Sequence, residues 1–173
     1  MLNLSGKYIN LREINMNDAT FVLSLRCDPE KSKYLNKTDY ALKKQEDYIR
    51  RYETLDKEWY FIIENKTGKK LGTYRVYDLR QESFCIGSWL MINGCTIEEV
   101  IEGDYMLRMF GFEQTKLDKI HFDVRKDNKK VINYHKLVGG RIVSEDDKNY
   151  FFTCSKSDYL NKIKVFMSDI WQK

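Results

Sequence analysis

Between residues 59 and 91 three apolar runs follow one another with only short polar breaks, and this succession constrains the fold more than any other stretch of the chain. The runs 59–64 and 71–77 are rich in aromatic and β-branched residues, as strands are. The segment 65–70 between them carries Asn65 and Gly68, residue types that tight turns use, so the pair reads as an antiparallel hairpin. The third run, 83–91, is unusually apolar and reads as a buried strand. Then the period changes. Residues 96–112 read as a helix, and 119–124, with Ile120, Phe122 and Val124 on one face, as a strand. A hairpin followed by a strand–helix–strand crossover needs a sheet of mixed direction. A doubly wound parallel sheet is excluded.

The flanking segments fit that frame. Residues 8–13 read as a first strand. Asn15 or Asn17 caps a helix carrying Ala19, Phe21, Val22 and Leu25, and Asp28-Pro29, with the only proline, stops it. Residues 45–55 read as a second helix. Residues 128–138 form a helix closed by Gly139-Gly140, and 141–144 with 150–154 form a hairpin around SEDDKN. The tail, 157–171, has Leu160, Ile163, Phe166, Met167 and Ile170 at helical spacing; it either docks on its own sheet or makes a homodimer contact. The order is β-α-α-β-β-β-α-β-α-β-β-α. The fold class is α/β, of the α+β kind, a partly antiparallel mixed sheet flanked by helices. At 173 residues, without repeats or a linker, the chain reads as one domain over 1–173, able to bury roughly 68–70% of its unfolded surface.

Composition excludes several function classes. Lys and Arg number 30 against 26 Asp and Glu, a net charge of +4, too mild and too dispersed for a nucleic-acid footprint. The four cysteines, Cys27, Cys85, Cys95 and Cys154, are scattered and there are two histidines, so no metal site is read. They read as reduced thiols of a cytoplasmic protein. No signal peptide is read, and no apolar run approaches the ~18–20 residues of a membrane span.

Four stretches, in order, resemble one family. GKYINLREINMNDA (6–19) is similar to the opening strand and first-helix start of the acetyl-CoA-dependent N-acetyltransferase (GNAT) superfamily. LRCDPEKSKYL (25–35) and FCIGSWLM (84–91) resemble the branch that acetylates ribosomal-protein N-termini and amino sugars. FDVRKDNKKVINYHKLVGGRIV (122–143) resembles the segment that closes the cofactor site. The resemblance covers nearly the whole chain and implies a splayed sheet. Acetyl-CoA would lay its pantetheine arm along backbone groups near Ser88, Trp89, Leu90 and Met91, with Asn128 as a further contact. The bland reading of Ser88–Met91, a buried strand, is compatible with this.

The family's next element is a glycine-rich turn whose N–H groups cradle pyrophosphate. Counting from Trp89, its two glycines fall at Thr96 and Glu98 and are absent. Thr96-Ile97-Glu98-Glu99 instead spells a capping box. Acetyl-CoA then has the arm, the remaining N–H groups around Thr96 and Ile97, and basic residues such as Lys136, Arg125, Lys126, Lys129, Lys130 and Arg141 to hold it. A lost cofactor site is the other reading.

In many family members a tyrosine two helical turns after the asparagine protonates the leaving thiolate. Seven residues from Asn128 stands His135, with Tyr134 one step off the face. His135 would serve as the acid; its alternative is a helix-surface or partly buried histidine, and that of Tyr134 is core packing. Glu13, Asp78, Glu82, His121 and Asp123 are the candidate bases, each with a structural alternative. Arg26, Asp28, Tyr34, Trp59, Tyr74 and Tyr77 are candidate acceptor liners, aromatics suiting a sugar or nucleoside ring and arginine a phosphate. Three functions follow: N-acetylation of a small-molecule amine, foremost a nucleotide-linked amino sugar; acetylation of a protein N-terminus; or a non-catalytic binding module on the same fold.

Overall fold

The computed structural model describes residues 2–34 and 41–171; Leu35 and the side chain of Ile170, both used above, lie outside what is described. The elements are β1 (Asn3–Ser5), β2 (Ile9–Glu13), a 3-10 turn (Met16–Asp18), α1 (Ala19–Cys27), α2 (Pro29–Ser32), α3 (Leu42–Tyr52), β3 (Trp59–Asn65), β4 (Lys70–Tyr77), β5 (Phe84–Met91), α4 (Ile97–Thr115), β6 (Lys119–Arg125), α5 (Lys129–Leu137), β7 (Arg141–Glu145), β8 (Asn149–Ser155) and α6 (Lys156–Trp171). The eight strands run β1-β2-β3-β4-β5-β6-β8-β7 across one mixed sheet. Antiparallel ladders join β1 through β4, and β6, β8 and β7; β5 and β6 are parallel. The expected elements are present. Added to them are β1 and the one-turn α2, both too short to leave a periodic signal.

The described chain forms two compact units, residues 2–77 with 87–108, and 78–86 with 109–171, the division falling inside β5 and α4. In the first, the β3–β4 turn is held by Asn65, whose side-chain oxygen accepts from the N–H groups of Thr67 and Lys69, while Gly68 takes φ +82°. Helix α3 buries Gln45, Ile49 and Tyr52, one side of its cylinder, against Ile14, Ala19, Val22, Tyr60 and Ile62. Asn15 caps the 3-10 turn, and Asp18 closes a capping box by accepting from the Asn15 N–H. The Glu102 carboxylate of α4, fully buried, accepts from the backbone N–H groups of Lys7, Tyr8 and Ile9 at 2.7, 2.6 and 2.8 Å, fixing the β1–β2 connection.

In the second unit, β6 and β8 pair along their whole length, with Phe122 stacked on Phe152 at 5.2 Å. Gly111 lets α4 pass close over the Phe84 ring, where a Cβ would fall 2.5 Å from it. Helix α6 docks here through Tyr159 and Ile163, both buried, so the intramolecular reading of the tail holds for this part of it.

Asp18, beside the start of α1, carries several charge partners. It is fully buried and accepts from both Arg12 nitrogens at 2.9 Å and from Lys70 at 2.6 Å. Burial opposes its ionisation, but the hydrogen bonds from Arg12 and Lys70 outweigh it and hold the carboxyl below the ordinary aspartate value. A depressed folded-state pKa stabilises the fold above the unfolded value and is lost as pH falls through the folded one. Arg12 keeps its second partner, Glu64, and Lys70 is about one-third exposed, so we predict that Asp18→Asn costs roughly 1.5–3 kcal/mol near neutral pH, the range for hydrogen bonds to charged groups, and that the gap to wild type narrows as pH drops below about 4. Denaturant titrations of both proteins across pH check it.

Candidate functional site

Strand β5 does not stay regular. Ser88 has φ +52°, a left-handed conformation that costs an L-residue roughly 1–2 kcal/mol. Its neighbours hold it there. The Thr73 hydroxyl donates to the Ser88 carbonyl at 2.7 Å. Trp89 stacks on Tyr74 with centroids 4.9 Å apart and planes 7° from parallel. Gly72 lets β4 and β5 approach: a Cβ there would fall 2.2 Å from the Leu90 carbonyl oxygen. Tyr74 is in turn fixed from behind, donating to Asp104 at 2.7 Å, and both Asp104 oxygens accept from Arg108 Nε at 2.9 Å. Tyr74, Asp104 and Arg108 are all fully buried. A kinked backbone over a rigid support can turn its carbonyls and N–H groups away from a strand ladder and toward a ligand's amides.

After Met91 the chain passes through an exposed turn with Gly94 at φ +84°. The capping box is present: the Thr96 N–H donates to the Glu99 carboxylate at 2.9 Å, and the Glu99 N–H to the Thr96 hydroxyl at 3.2 Å. Two of the donors a phosphate would use are therefore engaged. Ile97 begins the helix 62% exposed. Burial, then the nearby Glu99, push the Cys95 thiol up, which makes it a poor nucleophile.

The proposed acceptor liners are all in the first unit. Arg26, Trp59 and Tyr77 are half-buried at element ends. Asp28 is occupied: it caps α2, accepting from the Glu30 N–H at 2.9 Å, and pairs with Lys31. Tyr34 has the Lys33 ammonium 5.0 Å over its ring. Tyr74 is a correction in kind. With no exposed surface it presents no face for a sugar to stack on; it buttresses Trp89 instead. The sequence signal that could have shown this is alternation: counting from Thr73 in β4, Tyr74 points to the opposite face.

In the second unit Asn128 caps α5, its side chain accepting from the Val131 N–H at 3.4 Å. His135 is 5% exposed and packs 4.3 Å from Phe122 and 6.1 Å from Phe152, not on the helix surface. Tyr134 beside it is half-buried instead of core, and Lys136 is exposed. Lys126 is paired with Glu145 and Arg141 with Asp158. Of the candidate bases, Glu13, in the first unit, accepts from the Tyr52 hydroxyl and the Leu2 N–H. Glu82 pairs with Lys119 at the surface, and Asp123 is exposed. His121 and Asp78, in the second, are joined, Nε2 to carboxylate at 3.1 Å, while His121 Nδ1 lies 2.9 Å from the Ser83 hydroxyl. Arg80 also pairs with Asp78. The hydrogen bond from His121, then that from Arg80, hold this carboxyl below its usual range.

A sequence model described as an acetyltransferase (GNAT) domain matches residues 9–141. The chain belongs to the GNAT acetyltransferase family. Among solved structures, this GNAT domain is similar to apo FdhC, a nucleotide-linked sugar GNAT, at 32% identity over 95% of this chain and 96% of that one, TM-score 0.84. It is similar in fold to a spermidine N-acetyltransferase from Vibrio cholerae in complex with CoA and spermine, at 15% identity over 90% and 100% of the two chains, TM-score 0.78. A GCN5-related N-acetyltransferase from Brucella melitensis matches at 12% identity over 98% and 85%, TM-score 0.77. No curated protein matches the sequence. The GNAT domain makes the chain an acyltransferase. No helix among the described residues is long and apolar enough to cross a membrane.

We predict that Asp104→Asn or Arg108→Met alone costs roughly 3–5 kcal/mol, because each removes the ion-pair partner of a fully buried charge. The paired replacement Asp104→Leu with Arg108→Met should cost less than either single change. Denaturant unfolding of the three variants, read as a double-mutant cycle, tests the pairing.

Proposed function

We propose that this GNAT domain transfers an acetyl group from acetyl-CoA to the amine of a nucleotide-linked amino sugar. The observation that carries the reading is the 32% identity, over 95% of this chain, to a nucleotide-linked sugar GNAT, a likeness well above the 12–15% of the other structures named here. The half-buried Arg26, Trp59 and Tyr77 of the first unit support it, since arginine and aromatic faces suit a phosphorylated, ring-bearing acceptor better than a polyamine.

The residues fit one part of acetyl-CoA and not another. The kink at Ser88, with Thr73 on its carbonyl, suits the amide-rich pantetheine arm along Ser88–Met91. The capped start of α4 does not suit a pyrophosphate cradle, as the Thr96 and Glu99 N–H groups are engaged and Glu98 and Glu99 would repel the charge. Bound, the cofactor supplies an activated acetyl thioester. On this reading Asn128 orients the arm, and His135 holds the proton that the leaving thiolate takes up. His121, oriented by Asp78 through Nε2, takes the acceptor amine's proton by way of Ser83, whose hydroxyl gives its proton to Nδ1 and receives the amine's in its place; its support is the hydrogen-bonded chain Asp78–His121–Ser83.

Release of free CoA thiol, followed with a nucleotide-linked amino sugar, the matching free amino sugar, spermidine and a short peptide as acceptors, tests the function. The nucleotide-linked sugar should give a kcat/KM at least ten-fold above the others; preference for the peptide would favour N-terminal acetylation, and no release with any acceptor would favour a binding module. His135→Ala should lower kcat by about 10²–10⁴-fold with little change in acetyl-CoA affinity. His121→Gln should lower kcat/KM in a protein whose thermal unfolding matches wild type; an unchanged kcat/KM would return His121 to a structural role.

A further inference from the structure

The first unit contains a group of side chains that the fold does not need in this form. Arg75 sits in β4 directly across from Tyr60 of β3. Its guanidinium lies 4.3 Å from the ring centroid of Tyr77, 5.5 Å from Tyr48 and 6.0 Å from Tyr60. A second guanidinium, Arg51 of α3, lies 5.5 Å from the same Tyr48 ring. Arg26, at the end of α1, also acts electrostatically on Tyr48 and Tyr60. Three arginines are thus gathered on one set of tyrosines. Glu58 accepts from one Arg75 nitrogen.

Two buried donors in this group have no hydrogen-bond partner among the described residues. Arg75 Nε and the Tyr48 hydroxyl are both shielded from solvent and make no hydrogen bond. An unsatisfied buried polar group costs roughly 1–3 kcal/mol, so two in one cluster point to a missing acceptor. Burial, the largest effect, pushes the Tyr48 phenol up and keeps it a protonated donor. Aromatic stacking holds the Arg75 plane in place in advance of any ligand, as bidentate recognition of phosphate requires.

The position of the cluster also fits. Thr73, Arg75 and Tyr77 alternate along one face of β4. The Thr73 hydroxyl is bonded to the Ser88 carbonyl, at the kink. Arg75 is a two-residue step from Thr73, about 7 Å along β4, comparable with the span of a sugar ring.

We infer that Arg75, with Arg51 and Arg26 around Tyr48, is the anion-recognition end of the acceptor site and takes the phosphate bridge of a nucleotide-linked substrate. This rests on the function proposed above and adds to it the residues that select a phosphorylated acceptor over a neutral or cationic amine. Glu58 competes with the phosphate for Arg75 and sets a limit on affinity, while Tyr77 and Tyr48 offer faces to the sugar or base.

The test uses UDP, dTDP and inorganic pyrophosphate as probes, with titration calorimetry on the whole protein at two salt concentrations. Wild type should bind a nucleoside diphosphate with an affinity that falls as salt rises. Arg75→Met should weaken it at least ten-fold and Arg51→Met several-fold. Tyr48→Phe, which removes only a hydroxyl, should weaken it measurably in a protein whose thermal unfolding matches wild type. In turnover, Arg75→Met should lower the ratio of kcat/KM for the nucleotide-linked over the free amino sugar. If Arg75→Met, Arg51→Met and Tyr48→Phe all leave nucleoside diphosphate affinity unchanged, or wild type binds none of the probes, the inference is overturned, even where nucleotide-linked sugar is acetylated. Arginine-dependent binding of UDP or dTDP in a protein that acetylates only other amines would support this site and overturn the acceptor assigned above.

Discussion

A fully buried ion pair on α4 underlies the candidate site. Asp104 and Arg108 face each other one turn apart on α4, both without exposed surface. Neither charge can be left alone there, so the Tyr74 hydroxyl is drawn to Asp104, and the Tyr74 ring becomes the platform on which Trp89 stacks. Trp89 follows Ser88 directly. The energy held in the ion pair is therefore spent on keeping one left-handed residue in an apolar strand. A hydrophobic pair in its place would cost less than removing either charge alone but would lose the directional hold on Tyr74. The specificity of a charged network, not its net stability, is what the geometry uses.

Much of the fold was legible in the sequence because it rested on periodicity and turn chemistry. The hairpin around Asn65 and Gly68, the crossover through α4, and the helix from Asn128 closed by Gly139 all depend on local signals that tertiary packing reinforced. The capping box at Thr96 was legible for the same reason: its two hydrogen bonds join residues three apart. What escaped was non-local. A three-residue strand such as β1 has no period to read. Glu102, Asp104 and Arg108 look like solvated helix charges in sequence, yet Glu102 is buried against the Lys7–Ile9 backbone and the Asp104–Arg108 pair beneath Tyr74. Tyr74 and Tyr77 look alike as aromatic liners. Only the alternation of β4, placed against α3 on one side and α4 on the other, sends one to the core and leaves the other half-buried beside Arg75.

The start of α4 shows how one family feature can be exchanged for another. Where a glycine turn leaves N–H groups open to an anion, this chain closes them with its own threonine and glutamate, worth about 0.5–2 kcal/mol to the empty protein. On the proposed function, the exchange would leave the holding of the cofactor to the strand. Positive charge in the first unit is gathered instead around Tyr48, on the same face of β4 as Thr73. An anion cradle has weakened at one point of the unit and a cluster of arginines stands at another.

The direct test is to compare the affinities of acetyl-CoA and of S-acetylpantetheine, which lacks the nucleotide and pyrophosphate. If the kinked strand holds the thioester arm and the capped helix adds little, both ligands bind and their dissociation constants differ by less than about ten-fold, or roughly 1.4 kcal/mol. A hundred-fold or greater advantage for acetyl-CoA would mean that the phosphates are gripped after all, and failure of both to bind would remove the transferase account.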